Sequence, residues 1–205
     1  MAISTTVQAA LAFALAWAAP SAHATIFPVT GTIAVNGSSA PLPAGGTFGD
    51  AVYDANTGTL SDGAFAFPDA STIVPIQGVG NVTVNYRFSQ TNTSSAAVAA
   101  DGVAAMTVVH AKLQILSTSL PLPVTPCVFE PIDLELAGTG SASGLDLADA
   151  SFTVPPTASS CGGFASQINA ALAGSNNSLT VHISGNFTPP MPDDDTIFAD
   201  GFDDN

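Results

Sequence analysis

The chain has 205 residues, 46% of them hydrophobic, and only two bases, Arg87 and Lys112, against 16 acids, for a net charge of −14. That balance excludes an electrostatic grip on nucleic acid or anionic lipid, since both need clustered cations. With 9% charged residues, solubility rests on Ser, Thr and Asn side chains, a composition that fits an extracellular β protein better than a cytosolic enzyme.

The N-terminus reads as an export signal. An apolar run from Val7 to Ala19 ends in Pro20 and then Ala22-His23-Ala24, the small-x-small form cut by signal peptidase, which predicts residues 1–24 as a signal peptide cleaved after Ala24. No Lys or Arg precedes the run, so the terminal amine alone supplies its positive end. An uncleaved anchor is the competing reading, opposed by the shortness of the run and the cleavage site directly behind it. No later segment is long and apolar enough to span a bilayer as a helix, and the length of residues 25–188 suits one domain with a real core.

In chain order, Val29 to Val35 predicts a strand, and Asn36 to Gly46 a Gly/Ser/Pro loop. Phe48 to Tyr53 and Leu60 to Phe67 predict a hairpin across Asp54-Ala55-Asn56-Thr57-Gly58, because Asn and Gly tolerate positive φ, with Pro68 as its stop. From Val82 to Phe88, apolar Val82, Val84, Tyr86 and Phe88 alternate with polar residues, the clearest one-sided strand. Asn92 to Ala100 reads as a linker. Asp101-Gly102 then turns into a long strand, Val103 to Leu116, with Val109, Ala111, Leu113 and Ile115 on one face and His110, Lys112 and Gln114 on the other.

Pro121, Pro123 and Pro126 hold an extended approach to Cys127. Between Cys127 and Cys161, Ile132, Leu134 and Leu136 alternate with Asp133 and Glu135; Gly138, Gly140 and Gly144 interrupt, and Ala150, Phe152 and Val154 resume until Pro155-Pro156 ends the strand. Two cysteines in an exported chain allow one internal pairing, and an oxidising compartment makes a Cys127–Cys161 disulfide the expectation; metal or catalytic thiol use is the competing reading. A short helix is predicted near residues 164–173, with Phe164, Ile168, Ala171 and Leu172 on one face and Gly174 placed to cap it. A last strand runs from Leu179 to Phe187, with Leu179, Val181 and Ile183 inward.

Leu60, Asp62, Phe65 and Pro68 recur at constant offset as Leu147, Asp149, Phe152 and Pro155. Coincidence in a restricted alphabet is one reading; duplication of a β unit is the other. The expected fold is all-β: a β-sandwich, as two duplicated units packed face to face or as a single set, with one short helix. Residues 189–205 form a separate Pro/Asp-rich tail holding Asp193, Asp194, Asp195, Asp200, Asp203 and Asp204.

Two stretches resemble known groups. The pattern from Pro126-Cys127 through Gly138, Phe152-Thr153-Val154-Pro155 and Cys161-Gly162-Gly163 to Gly174 and the Leu179 strand resembles a group of secreted bacterial β-rich proteins. That resemblance supports export and the disulfide and implies no catalytic residues. The tail residues Ile197, Phe198, Gly201, Phe202 and Asp203 resemble the Ile-Phe-x-x-Gly-Phe-acidic ending of many exported gammaproteobacterial proteins, which usually has Glu at the position of Asp203. It implies a sorting or surface-handling tag, with a disordered acidic terminus as the plain alternative. Together they imply a protein that passes the export machinery and the periplasm and ends secreted or at the cell surface.

Residues able to carry chemistry are few. His110 and His182 each sit on the polar face of a predicted strand, without further metal ligands at useful spacing. Glu130, Asp133 and Glu135 are explained by a solvated strand face, since adjacent carboxylates on one strand do not make the cleft of a glycosidase. Gly140-Ser141-Ala142-Ser143-Gly144 puts Ala142 where a nucleophile would stand. Asp193 to Asp195 offers hard oxygen ligands for calcium without an EF-hand's spacing. Asn-x-Ser/Thr sites begin at Asn36, Asn81, Asn92, Asn176 and Asn186; the bacterial resemblance of the tail implies that they are by-products of this composition.

The sequence therefore predicts no catalytic, cofactor or metal site. It suggests a non-enzymatic exported β module with a structural or binding role, its partner a carbohydrate or a protein at the cell surface. Sparse charge and positive mean hydropathy prompt a second reading, a carrier or membrane-associated β-barrel for apolar ligands. A hydrolytic enzyme is the third.

Overall fold

The computed structural model describes residues 24–76, 78–119, 127–157 and 159–191. Residues 1–23 of the predicted signal (1–24) and the tail motif at Ile197, Phe198, Gly201, Phe202 and Asp203 lie outside the described residues, as do the three prolines before Cys127 and the acids at 193–195. Ala24 itself is exposed, one residue before the first strand.

Strand β1 (Thr25–Val35) pairs with the short β2 (Ser38–Pro41) and with β3 (Gly46–Asp54), and β3 turns into β4 (Thr59–Ala66) through the predicted hairpin, with Tyr53 opposite Leu60. Gly58, at φ 66, supplies the left-handed residue that this turn needs. Next come β5 (Ala70–Ile76) and β6 (Gly80–Gln90), a hairpin in register from Ala70–Tyr86 to Ile76–Gly80. They are followed by β7 (Ser94–Val98), β8 (Val103–Met106), β9 (Val109–Thr118) and β10 (Cys127–Leu134). The remainder is β11 (Ala137–Gly140), β12 (Gly144–Val154), a 3-10 segment (Ser159–Phe164), helix α1 (Ala165–Leu172) and β13 (Gly174–Ser184).

The architecture is all-β, as expected, but it is a barrel and not a sandwich. Eight antiparallel strands close a ring in the order β4, β3, β1, β13, β12, β11, β8 and β7, and β7 completes the circuit by pairing with β4. Closure is what a sandwich lacks, and it removes the free edges that two separate sheets would expose. Inward residues fill the ring: Val29, Phe48, Leu60, Val98, Leu145 and Ile183 are all essentially inaccessible to solvent. Where β13 finishes, Phe187 is completely buried with its ring 5.2 Å from those of Phe27 and Tyr53.

Two sequence expectations fail at the strand that closes the ring and the one beside it. The expected linker, Asn92 to Ala100, contains β7, whose inward positions are Ser94, Ala96 and Val98. Side chains that small give almost no contrast between an apolar and a polar face, so the period of two is nearly silent. The single long strand expected from Val103 to Leu116 is two strands, β8 and β9, divided at Thr107-Val108, with β8 in the ring and β9 outside it.

Outside the ring, β5, β6, β9 and β10 form a second antiparallel sheet, joined to it by the single Ala66–Ser89 pair between β4 and β6. The proposed repeat falls on equivalent local structure: Leu60 to Phe65 and Leu147 to Phe152 each lie on the second strand of a hairpin, with an irregular register near Asp62 and Asp149. After these points the paths diverge. The first leads into the outer sheet, and the second passes through α1 and returns to the ring as β13.

Candidate functional site

The outer sheet faces the extension of the ring. β1, β12 and β13 carry Ile33, Val35, Phe152, Val154, Leu179 and Val181; opposite them β6, β9 and β10 carry Val84, Tyr86, Phe88, Leu113, Ile115, Ile132 and Leu134. Alternation in each strand aims these side chains inward, as the clear patterns of β6, β9 and β13 predict. The two faces do not meet along their whole length. Between them lies a cleft of about 420 Å³, within the range of small-molecule sites.

The lining is overwhelmingly aliphatic and aromatic, and none of its described residues carries a charge. One wall continues into the barrel through an aromatic series: Phe48 and Phe65 lie 4.8 Å apart, Phe65 stacks on Phe67 at 6.1 Å, and Phe67 meets the edge of Phe88 at 6.0 Å. At the rim are two strands paired on one side only, β2 and β5, contributing Ser38, Ser39 and Ala40 and Thr72, Ile73 and Val74. Ile73 remains 63% exposed there.

Helix α1 covers one end, placing Ala171 and Leu172 in the lining. Cys127 and Cys161 are joined as expected, with Cα atoms 4.6 Å apart, so the segment leading into α1 is tied to β10. Asn169 accepts from Thr157 N–H at 2.9 Å and donates to Thr157 C=O at 3.2 Å. Asn36 donates through Nδ2 to the Ala171 carbonyl at 2.8 Å, satisfying an end group of the helix. Asn177, buried at 3% exposure, accepts from Asn36 N–H and donates to the Phe152 and Gly174 carbonyls. The helix falls within the predicted residues 164–173, one residue shorter at each end, with Ile168 as its buried residue.

Tyr86 is the phenol in this wall. It is half-buried, its hydroxyl has no hydrogen-bond partner among the described residues, and burial pushes its pKa above the usual value for tyrosine. Tyr53, on β3 of the ring, donates to the Thr188 carbonyl at 2.7 Å; burial, with the neighbouring Asp54 charge, raises its pKa as well.

The residues singled out for chemistry do not gather at the cleft. His110 pairs with Asp133 at 2.6 Å across β9 and β10, and His182 with Asp146 at 2.7 Å across β12 and β13, each on an exposed face. Glu130 and Glu135 are exposed; the Glu135 backbone N–H donates to the buried Asp149 carboxylate. The Gly140 to Gly144 segment is a turn in which Ser141 bonds to Ser143 and to the Gly144 carbonyl. Among the described residues no group of three His, Cys, Asp or Glu side chains is placed to hold a metal ion, and no helix is long and apolar enough to cross a membrane.

Much of the lining lies on predicted elements, Val82 to Phe88 supplying one wall, and the missed parts are the rim strands. β2 falls inside the stretch expected to be a Gly/Ser/Pro loop, and β5 is masked by Pro75, which argues against a central strand and is tolerated because β5 is an edge. Fold and site together define a closed β-barrel with an uncharged apolar cleft beside it. The chain matches no protein-family model, no curated protein and no solved structure.

Proposed function

We propose that this protein is a non-enzymatic, exported carrier that binds a small apolar molecule in the cleft between the barrel and the outer sheet. The observation that carries this reading is the cleft itself: about 420 Å³ lined by aliphatic and aromatic side chains that the fold leaves without partners across the gap. Apolar surface left wet in this way is a source of binding energy for any ligand that covers it.

The outer face of the barrel argues for a carrier in water over a barrel in a bilayer. Thr30, Thr32, Asp146 and Thr180 project outward around the β1–β13–β12 region, whereas a membrane barrel is apolar outside. The disulfide supports passage through an oxidising compartment, and the N-terminal signal reading supports export. A purely structural module, or one that binds carbohydrate or protein through its Thr- and Asn-rich strand faces, would have no use for the cleft.

Titration with the uncharged solvatochromic dye Nile red tests the reading. Saturable uptake at one site with blue-shifted emission is expected, and it should be weakened in Leu113→Trp, which places an indole in the cleft. Absence of saturable uptake, or equal uptake by a folded Leu113→Trp variant, would sink it.

A further inference from the structure

We propose that the cleft selects an uncharged apolar molecule bearing one hydroxyl or carbonyl group, held by a hydrogen bond from Tyr86 Oη. The inference rests on the carrier reading and adds the polar chemistry of the ligand.

Three observations lead to it. First, the cations lie elsewhere. Arg87 sits on the outward side of β6, its guanidinium held by Asp69 through two bonds of 2.7 and 2.8 Å, and Lys112 lies on β9 between the inward Ala111 and Leu113. A carboxylate drawn into this lining would lose its hydration without gaining a counter-charge, and the chain's net charge of −14 adds repulsion at a distance.

Second, the polar groups of the lining differ in what they have left to give. Asn36 is engaged through its N–H and its Nδ2. Ser38 and Ser39 are at the exposed rim, where water serves them. Tyr86 stands on the wall, flanked along β6 by the inward Val84 and Phe88, and its hydroxyl is unpaired among the described residues. Thr72, opposite Val84 on β5, places a second hydroxyl diagonally beside it.

Third, the half-buried phenol keeps its proton well into the alkaline range, so it remains a donor under all ordinary conditions. A donor in an apolar wall is satisfied by water in the empty cleft and must be satisfied by the ligand in the filled one. A ligand with a single hydroxyl or carbonyl among methylenes meets that demand, and a pure hydrocarbon does not.

Displacement of Nile red by a set of one chain length, a primary alcohol, its methyl ester, the corresponding fatty acid anion and the alkane, tests the proposal. At neutral pH the alcohol and ester should displace the dye at concentrations roughly tenfold or more below the anion. Tyr86→Phe should weaken the alcohol about three- to tenfold and tighten the alkane, which leaves the phenol of the parent protein unsatisfied. Equal or tighter binding of the anion, or no effect of Tyr86→Phe on the alcohol, overturns the proposal while the carrier reading survives. A protein that takes up no apolar probe overturns both.

Discussion

Gly63 lies directly beneath the ring of Phe48, so close that a methyl group on Gly63 would overlap the aromatic carbons. Gly63 is on β4, opposite Ser94 of β7, just past the register shift in the β4–β7 pairing that closes the ring. Closure of the barrel and the filling of its interior therefore meet at one contact.

Gly63→Ala should destabilise the fold by about 1–3 kcal/mol, the usual cost of overpacking a filled core. Urea denaturation reads this as a lower midpoint, and Phe48→Leu introduced together with Gly63→Ala should recover part of the loss by making room. A Gly63→Ala protein as stable as the parent would mean that Phe48 does not occupy the ring in this way.

The disulfide closes a loop of 34 residues in sequence. Chain entropy assigns such a loop about 3–4 kcal/mol. Reduction, or Cys127→Ser with Cys161→Ser, should lower the stability by that order in denaturant titrations. Because the bridge also ties the approach to α1 to β10, bound dye should dissociate faster from the reduced protein, even under conditions where it stays folded. Unchanged dissociation would show that α1 is held over the cleft by Asn36 and Asn169 alone.

Tyr53 and Tyr86 are the only tyrosines, so the phenols can be titrated by ultraviolet absorbance. Both are raised by burial, Tyr53 also by Asp54. Native midpoints above roughly 10 are expected, falling back to about 10 in denaturant. A group with a raised folded pKa stabilises the fold below its unfolded value, and the contribution is lost as pH rises through the folded one, so stability should decline on the alkaline side. Tyr86→Phe should leave a single native transition, from Tyr53.

Asp69 is held below the ordinary carboxylate range by its hydrogen bonds and charge pairing with Arg87, whose own pKa rises in return. A carboxyl depressed in the folded state contributes stability above its unfolded value, near 3.9, and loses it as pH falls through the folded value. The pair is about half exposed on both sides, so the effect should shrink with salt. An NMR titration should place the Asp69 midpoint below the ordinary value, and Arg87→Ala should return it there.

Strands with strong apolar contrast were legible in the sequence. Val82 to Phe88, Leu179 to Ile183 and the β3–β4 hairpin all fall where alternation and turn residues put them, as do the disulfide and the helix. Barrel closure was not legible, because it depends on β7, β8 and β11, built largely from Ala, Ser and Gly. Gly138 and Gly140 read as interruptions, yet they form β11 because Asp146 backbone and Val98 approach too closely to admit a side chain. The cleft was invisible for a different reason: it is assembled from nine separated strands, and no local pattern marks a gap between two correctly patterned faces.

The most direct test of the account is methyl NMR of the protein titrated with a neutral long-chain alcohol. Saturable shifts confined to cleft methyls such as Ile33, Leu113, Ile132, Leu172 and Leu179 are expected, with Ile26 and Val103, exposed elsewhere on the barrel, unmoved. Shifts at Ile26 and Val103 with none in the cleft, or no saturable shifts at all, would contradict it.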